Sequence, residues 1–135
     1  MGLYYRIWVD FIIRLRSRDE NKKNWQLTSM ITMSVAMTFN SVLFMSILQR
    51  NVLHYYFYEI NISFLSGFEN YIFTILILYI LPCVIINYFL IFLGKRYDKL
   101  LIKYPYYNGR LFVTYFSISL FLPIILLWIA VLLPK

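Results

Sequence analysis

Three stretches of this chain, Leu27–Leu48, Tyr71–Leu93 and Leu111–Pro134, contain no Asp, Glu, Lys, Arg or His. Each is longer than the ~20 residues an α-helix needs to cross a hydrocarbon core about 30 Å thick. They leave too little of the 135 residues for a separate soluble domain. The expectation is an all-α integral membrane protein, a single membrane domain with transmembrane helices at about 27–48, 71–93 and 111–133. The charged fraction agrees: 14% here, against roughly 25% in soluble domains. The first block follows a charged N-terminal segment and ends without an A-x-A-like site, so it reads as a retained span rather than a cleaved signal. Cys83 is the only cysteine, which excludes an intrachain disulfide or a cysteine-based metal cluster.

Charge outside the blocks predicts orientation, because basic residues near span ends favour the cytoplasmic side. Residues 1–26 carry Arg6, Arg14, Arg16, Arg18, Lys22 and Lys23 against Asp10, Asp19 and Glu20, a net of +3. Residues 49–70 carry Arg50 against Glu59 and Glu69, a net of −1. Residues 94–110 carry Lys95, Arg96, Lys99, Lys103 and Arg110 against Asp98, a net of +4. The N-terminus and the 94–110 loop are therefore expected in the cytoplasm, with 49–70 and the C-terminus outside. The expected location is the plasma membrane, specifically a bacterial inner membrane. Trp25 and Trp128 fall near block ends, where amphipathic rings prefer the headgroup level.

The segment at about 3–18 has a helical pattern. Arg6, Asp10 and Arg14 recur every four residues, a spacing that allows a salt-bridge ladder. Its other faces are apolar, so an amphipathic helix lying on the membrane surface is expected, with Trp8 and Phe11 available to a partner. The outer segment 49–70 is too polar to span but rich in aromatics. Tyr55, Tyr56 and Phe57 are candidate partner contacts there. His54, the lone histidine, and Glu59 are too few for zinc, which takes three or four protein ligands. Asn61-Ile62-Ser63 fits the glycosylation sequon, a cheap match.

Within the spans, a rise of 1.5 Å per residue places Asn40, Pro82 and Pro123 at similar depths, about 17–20 Å from the cytoplasmic face. Each proline frees a carbonyl four residues back, those of Leu78 and Ser119, and Asn40 is expected to bridge to one. Asn87 lies lower, at about 9 Å, level with Thr32, Ser34 and Ser117. Small residues such as Ala36 at four-residue spacing let helices approach closely. Thr32, Ser34, Ala36, Asn40, Asn87 and Ser117 are thus candidate packing residues. No span carries a charged side chain, so the usual ion-coupling residue of a pump is missing.

Lys95, Lys99 and Lys103 follow a four-residue step beside an apolar stripe, which predicts an amphipathic extension of the second span. Lys95, Arg96, Lys99 and Lys103 are expected to contact anionic phospholipid headgroups. Pro105 holds Tyr104 extended, and Asn108-Gly109 supplies a turn. Asp98 is alone among these cations, whereas metal-assisted phosphoryl chemistry often needs two or more carboxylates. No catalytic residues, metal, cofactor or nucleic-acid partner are expected. The expected role is a non-enzymatic accessory or scaffold subunit, bound to other integral membrane subunits, in transport, secretion or envelope biogenesis. The alternatives are an oligomeric channel or permease component, and a lipid-phosphate protein or enzyme centred on the 94–110 loop.

Overall fold

The computed structural model describes residues 2–18, 23–55 and 57–132. Every regular element among them is helical: α1 (Gly2–Arg16), α2 (Trp25–Ile47), α3 (Gly67–Thr74), α4 (Leu81–Asn87), α5 (Arg96–Lys103) and α6 (Arg110–Leu132). Wider turns join several of them. One at Leu48–Leu53 prolongs α2, and others at Ile75–Ile80 and Tyr88–Phe92 flank α4. Two helices are long and apolar enough to cross a membrane, Trp25–Leu53 with mean hydropathy 1.7 and Gly67–Lys103 with 2.6. The apolar stretch Arg110–Leu126 is shorter.

Local chemistry explains where the second of these helices begins, loosens and ends. It begins at a capping box, in which Ser66 Oγ accepts from the Glu69 N–H while the Glu69 carboxylate accepts from the Ser66 N–H. That satisfies two of the donors a helix start leaves bare. It loosens before Pro82, which has no N–H to give the Leu78 carbonyl. The turn there widens, so that the Leu81 N–H reaches the Leu76 carbonyl five residues back. Its apolar part ends at a kink before α5, at Gly94 and Lys95, both with left-handed backbone (φ 63° and 54°), and Arg96 Nη1 donates to the Phe89 carbonyl at 3.0 Å. A cation on the last carbonyls suits the negative end of a helix dipole.

This break corrects the lysine stripe. Lys95 lies outside α5 in the left-handed cap, so only Lys99 and Lys103 share a helical register. All four expected headgroup residues, Lys95, Arg96, Lys99 and Lys103, are exposed, while Tyr97 is buried.

The N-terminal helix also departs from expectation. α1 packs among α2, α5 and α6. Its residues 7 to 12 are all buried, and six consecutive positions cover every side of a helix with 3.6 residues per turn. A helix lying on a membrane surface would leave one face to water and another to lipid. Here each face has a dedicated partner within the chain. Phe11 stacks on Phe112 with ring centroids 3.6 Å apart, Trp8 meets Phe92 edge-on at 5.7 Å, and Tyr5 stacks on Tyr104 at 6.3 Å. The Arg16 guanidinium covers the Trp25 ring at 4.1 Å and the Tyr97 ring at 5.4 Å. Trp8 is fully buried and Phe11 nearly so, which leaves neither free as an outward partner contact.

Candidate functional site

Asp10 stands at the centre of the base formed by α1, α5 and α6. It is wholly buried, and both carboxylate oxygens accept from backbone. Oδ1 takes the N–H groups of Tyr107 (2.8 Å) and Gly109 (2.9 Å), and Oδ2 those of Leu111 (3.0 Å) and Phe112 (3.3 Å). These are the bare donors at the start of α6 and in the turn before it, where a negative charge is favoured by the helix dipole. The turn takes its shape from Asn108 (φ 57°) and Gly109 (φ 75°), after a Tyr104 held extended (φ −114°, ψ 139°) ahead of Pro105. The salt-bridge ladder does not form, because Asp10 has turned from the arginines to the loop. Arg14 reaches the same turn, its Nη1 3.4 Å from the Gly109 carbonyl.

Above the base, the interior holds two polar tiers. In the first, Tyr4 donates to Asn87 Oδ1 while Asn87 Nδ2 donates to Ser34 Oγ at 2.9 Å. Asn87 and Ser34 are both buried. Burial pushes the Tyr4 phenol up to about 12, so it stays a donor at neutral pH. In the second, Asn40 Nδ2 donates to Ser119 Oγ at 2.8 Å and to the Tyr115 hydroxyl at 3.3 Å. Asn40 thus bridges to side chains rather than to a proline-freed carbonyl. The Leu78 carbonyl is served instead by the Tyr58 hydroxyl at 2.9 Å, from the loop after α2. Ala36 is buried at the helix contact, and Thr32 and Ser117 are half-buried without joining either tier.

No family matches this chain, and neither a curated protein nor a solved structure is significantly similar to it.

Its geometry gives three of the four acidic groups among the described residues a structural task. Asp10 and Glu69 cap helices, and Asp98 pairs with Arg16 at 3.9 Å on the surface. Among the described residues no three His, Cys, Asp or Glu side chains come together as a metal site. His54 has left-handed backbone, and its Nδ1 lies 3.0 Å from the Arg50 carbonyl. A carbonyl only accepts, so Nδ1 carries the proton and closes the end of the preceding turn.

The chain then folds back along α3. The Ile60 N–H donates to Thr74 Oγ1 at 2.9 Å, and the Ile62 N–H to Asn70 Oδ1 at 2.8 Å. Tyr55 and Phe57 are exposed and touch each other, with centroids 5.6 Å apart. Tyr56 lies outside the described residues, as do Asp19, Glu20, Lys22 and the terminal 133–135. Sequence reasoning missed Tyr4, the capping role of Asp10 and the burial of Gln49. Only the first two had a signal, polar side chains set in an apolar helix that must find partners.

Proposed function

We propose that this chain is a non-enzymatic accessory or scaffold subunit of a larger plasma-membrane complex, with α6 as a third span. The carrying observation is the rigid presentation of bare aromatics beside the two apolar helices. Phe64 is 84% and Phe68 73% exposed, on a segment pinned by the capping box and by the bonds to Thr74 and Asn70. Large exposed apolar groups on an ordered segment mark interaction surfaces. The interior offers little to a competing channel reading. Ser34, Asn40 and Asn87 bond to partners inside one chain, which leaves few polar groups to line a path between copies.

In this reading the N-terminus and residues 94–110 face the cytoplasm, and Lys95, Arg96, Lys99 and Lys103 rest on anionic headgroups. Asp98 contributes a surface ion pair rather than chemistry, so Asp98→Ala leaves function intact. Extraction in gentle detergent followed by mass spectrometry tests the role. Unlike subunits retained in stoichiometric amounts support it, and a homo-oligomer alone overturns it. Orientation is tested with an impermeant thiol reagent applied outside. Cys83 is buried and so is silent, while Ser63→Cys is labelled and Arg18→Cys is not. The reverse pattern inverts the topology.

A further inference from the structure

Only one end of the Asn40 amide is paired within the chain. A carboxamide has two N–H donors and an acceptor oxygen. Both bonds that Asn40 makes use Nδ2, one to Ser119 Oγ and one to the Tyr115 hydroxyl, both on α6. Among the described residues nothing donates to Oδ1. The only side-chain polar atoms there that are both unpaired and sealed are Trp8 Nε1 and Gln49 Nε2. Oδ1 is therefore open at the surface of a half-buried residue. The helical rise puts it about 20 Å from the cytoplasmic end of α2, deep in the span. No water serves that depth, and an acceptor left bare in hydrocarbon is costly.

Asn40 also marks the place where one side of α2 comes out of the fold. Met33, Ala36, Asn40, Phe44 and Ile47 recur at steps of three and four, so they share a side of the helix. Met33 and Ala36 are buried, Asn40 is half-buried, and Phe44 is 64% and Ile47 44% exposed. The inner half of the stripe is covered by α1 and α6. Its outer half is bare.

The free acceptor decides what covers it. Acyl chains would lie against Phe44 and Ile47 but have no donor for Oδ1. A second copy, inserted the same way round, offers Phe39, Leu81, Leu122 and Ile124 at that level, all exposed and apolar. Its own Asn40 has both N–H groups engaged, and Ser46, an exposed hydroxyl on α2, stands about 9 Å further out. A cationic donor is expensive so deep in the bilayer.

We infer that the outer half of this stripe seats a transmembrane helix of an unlike subunit, whose serine, threonine, asparagine or glutamine donates to Asn40 Oδ1. Hydrogen bonds between such side chains join membrane helices. The inference rests on the accessory role and names the chemistry of the partner.

The test begins in intact membranes. A photoreactive benzophenone amino acid replaces Phe44, with the same group at Phe39 as reference, about 140° away round the helix. Position 44 is expected to crosslink to the unlike subunit that co-extracts with the native chain, and position 39 is not. In gentle detergent, Asn40→Leu is expected to retain that subunit about three-fold less well or worse. Ser119→Ala removes an internal bond but leaves Oδ1 in place, so it is expected to retain the subunit fully. Should Asn40→Leu unfold, as thermal unfolding would show, the crosslinks carry the test alone. Crosslinks from position 44 only to lipid or to a second copy overturn the inference. So does full retention by a folded Asn40→Leu variant, or an equal loss in Ser119→Ala, which would put the effect in internal packing. If the native chain retains no unlike subunit, the accessory role falls as well; if it retains one that ignores both positions, the inference falls alone.

Discussion

The two ends of the bundle are both rich in aromatic rings and use them in opposite ways. At the base, Trp8, Phe11 and Phe112 are turned inward around a carboxylate whose two oxygens accept four N–H groups. At the loop end, Tyr55, Phe57, Phe64 and Phe68 are turned outward. The base holds its own chain together. The loop end, with equally specific backbone bonding, leaves its rings bare. Aromatic content alone does not separate the two uses; the burial of the rings does.

The largest effect should come from breaking the base. Asp10→Ala leaves four backbone donors without an acceptor, two of them in the buried residues Gly109 and Phe112. Such losses cost about 1–3 kcal/mol per buried group, so a total on the order of 3–5 kcal/mol is expected. Thermal unfolding in detergent, followed by circular dichroism, measures it. Arg6→Ala is the control. Arg6 is exposed, and its loss should change stability by under about 0.5 kcal/mol. Equal losses for the two would restore the salt-bridge ladder and remove the contrast between the ends.

Asp10 also shows where sequence reasoning stops. Its spacing from Arg6 and Arg14 is a local pattern and reads equally well as a ladder. Its actual partners lie 97 to 102 residues away, and only the packing of α1 into the bundle brings them close. The uncharged blocks, the Pro105 constraint and the Asn108-Gly109 turn were legible because each acts through neighbours in the chain. The Ser66-x-x-Glu69 capping box was equally local, and reading it would have moved the start of the second span from 71 to 67. Gln49 gave no signal, since a glutamine next to Arg50 at a block's end looks like ordinary loop. Gly94 is the intermediate case. Its left-handed backbone is what a glycine permits, but a single glycine beside a regular lysine step does not announce that the step is broken.

The middle of the bundle comes next in size. Asn87→Leu keeps the volume and removes the bonds to Tyr4 and Ser34, leaving two hydroxyls unpaired. A loss of about 2 kcal/mol is expected, again from thermal unfolding. A variant that stays fully stable but changes ion or solute flux in vesicles would favour the polar path over internal glue.

Tyr58→Phe probes the loop end where it is anchored. The change removes one donor from the Leu78 carbonyl, which Pro82 has already deprived of its helical partner. The expected loss is about 1 kcal/mol, and it should be local. Hydrogen exchange should quicken at residues 75–81 and stay unchanged in α1, whereas an equal response in both would mean that the ends are one cooperative unit.

The smallest effect on stability and the sharpest on function should come from Phe64→Ser. Phe64 is 84% exposed, so its ring contributes little to this chain's own packing, and stability should move by under about 0.5 kcal/mol. If the outward aromatics serve a protein partner, the same change should strip that partner from the gently extracted protein. If they serve only lipid, the co-purified composition stays as it was. A stability loss above about 1 kcal/mol would instead mean that the ring packs inside the fold, and the two ends would then use their aromatics alike.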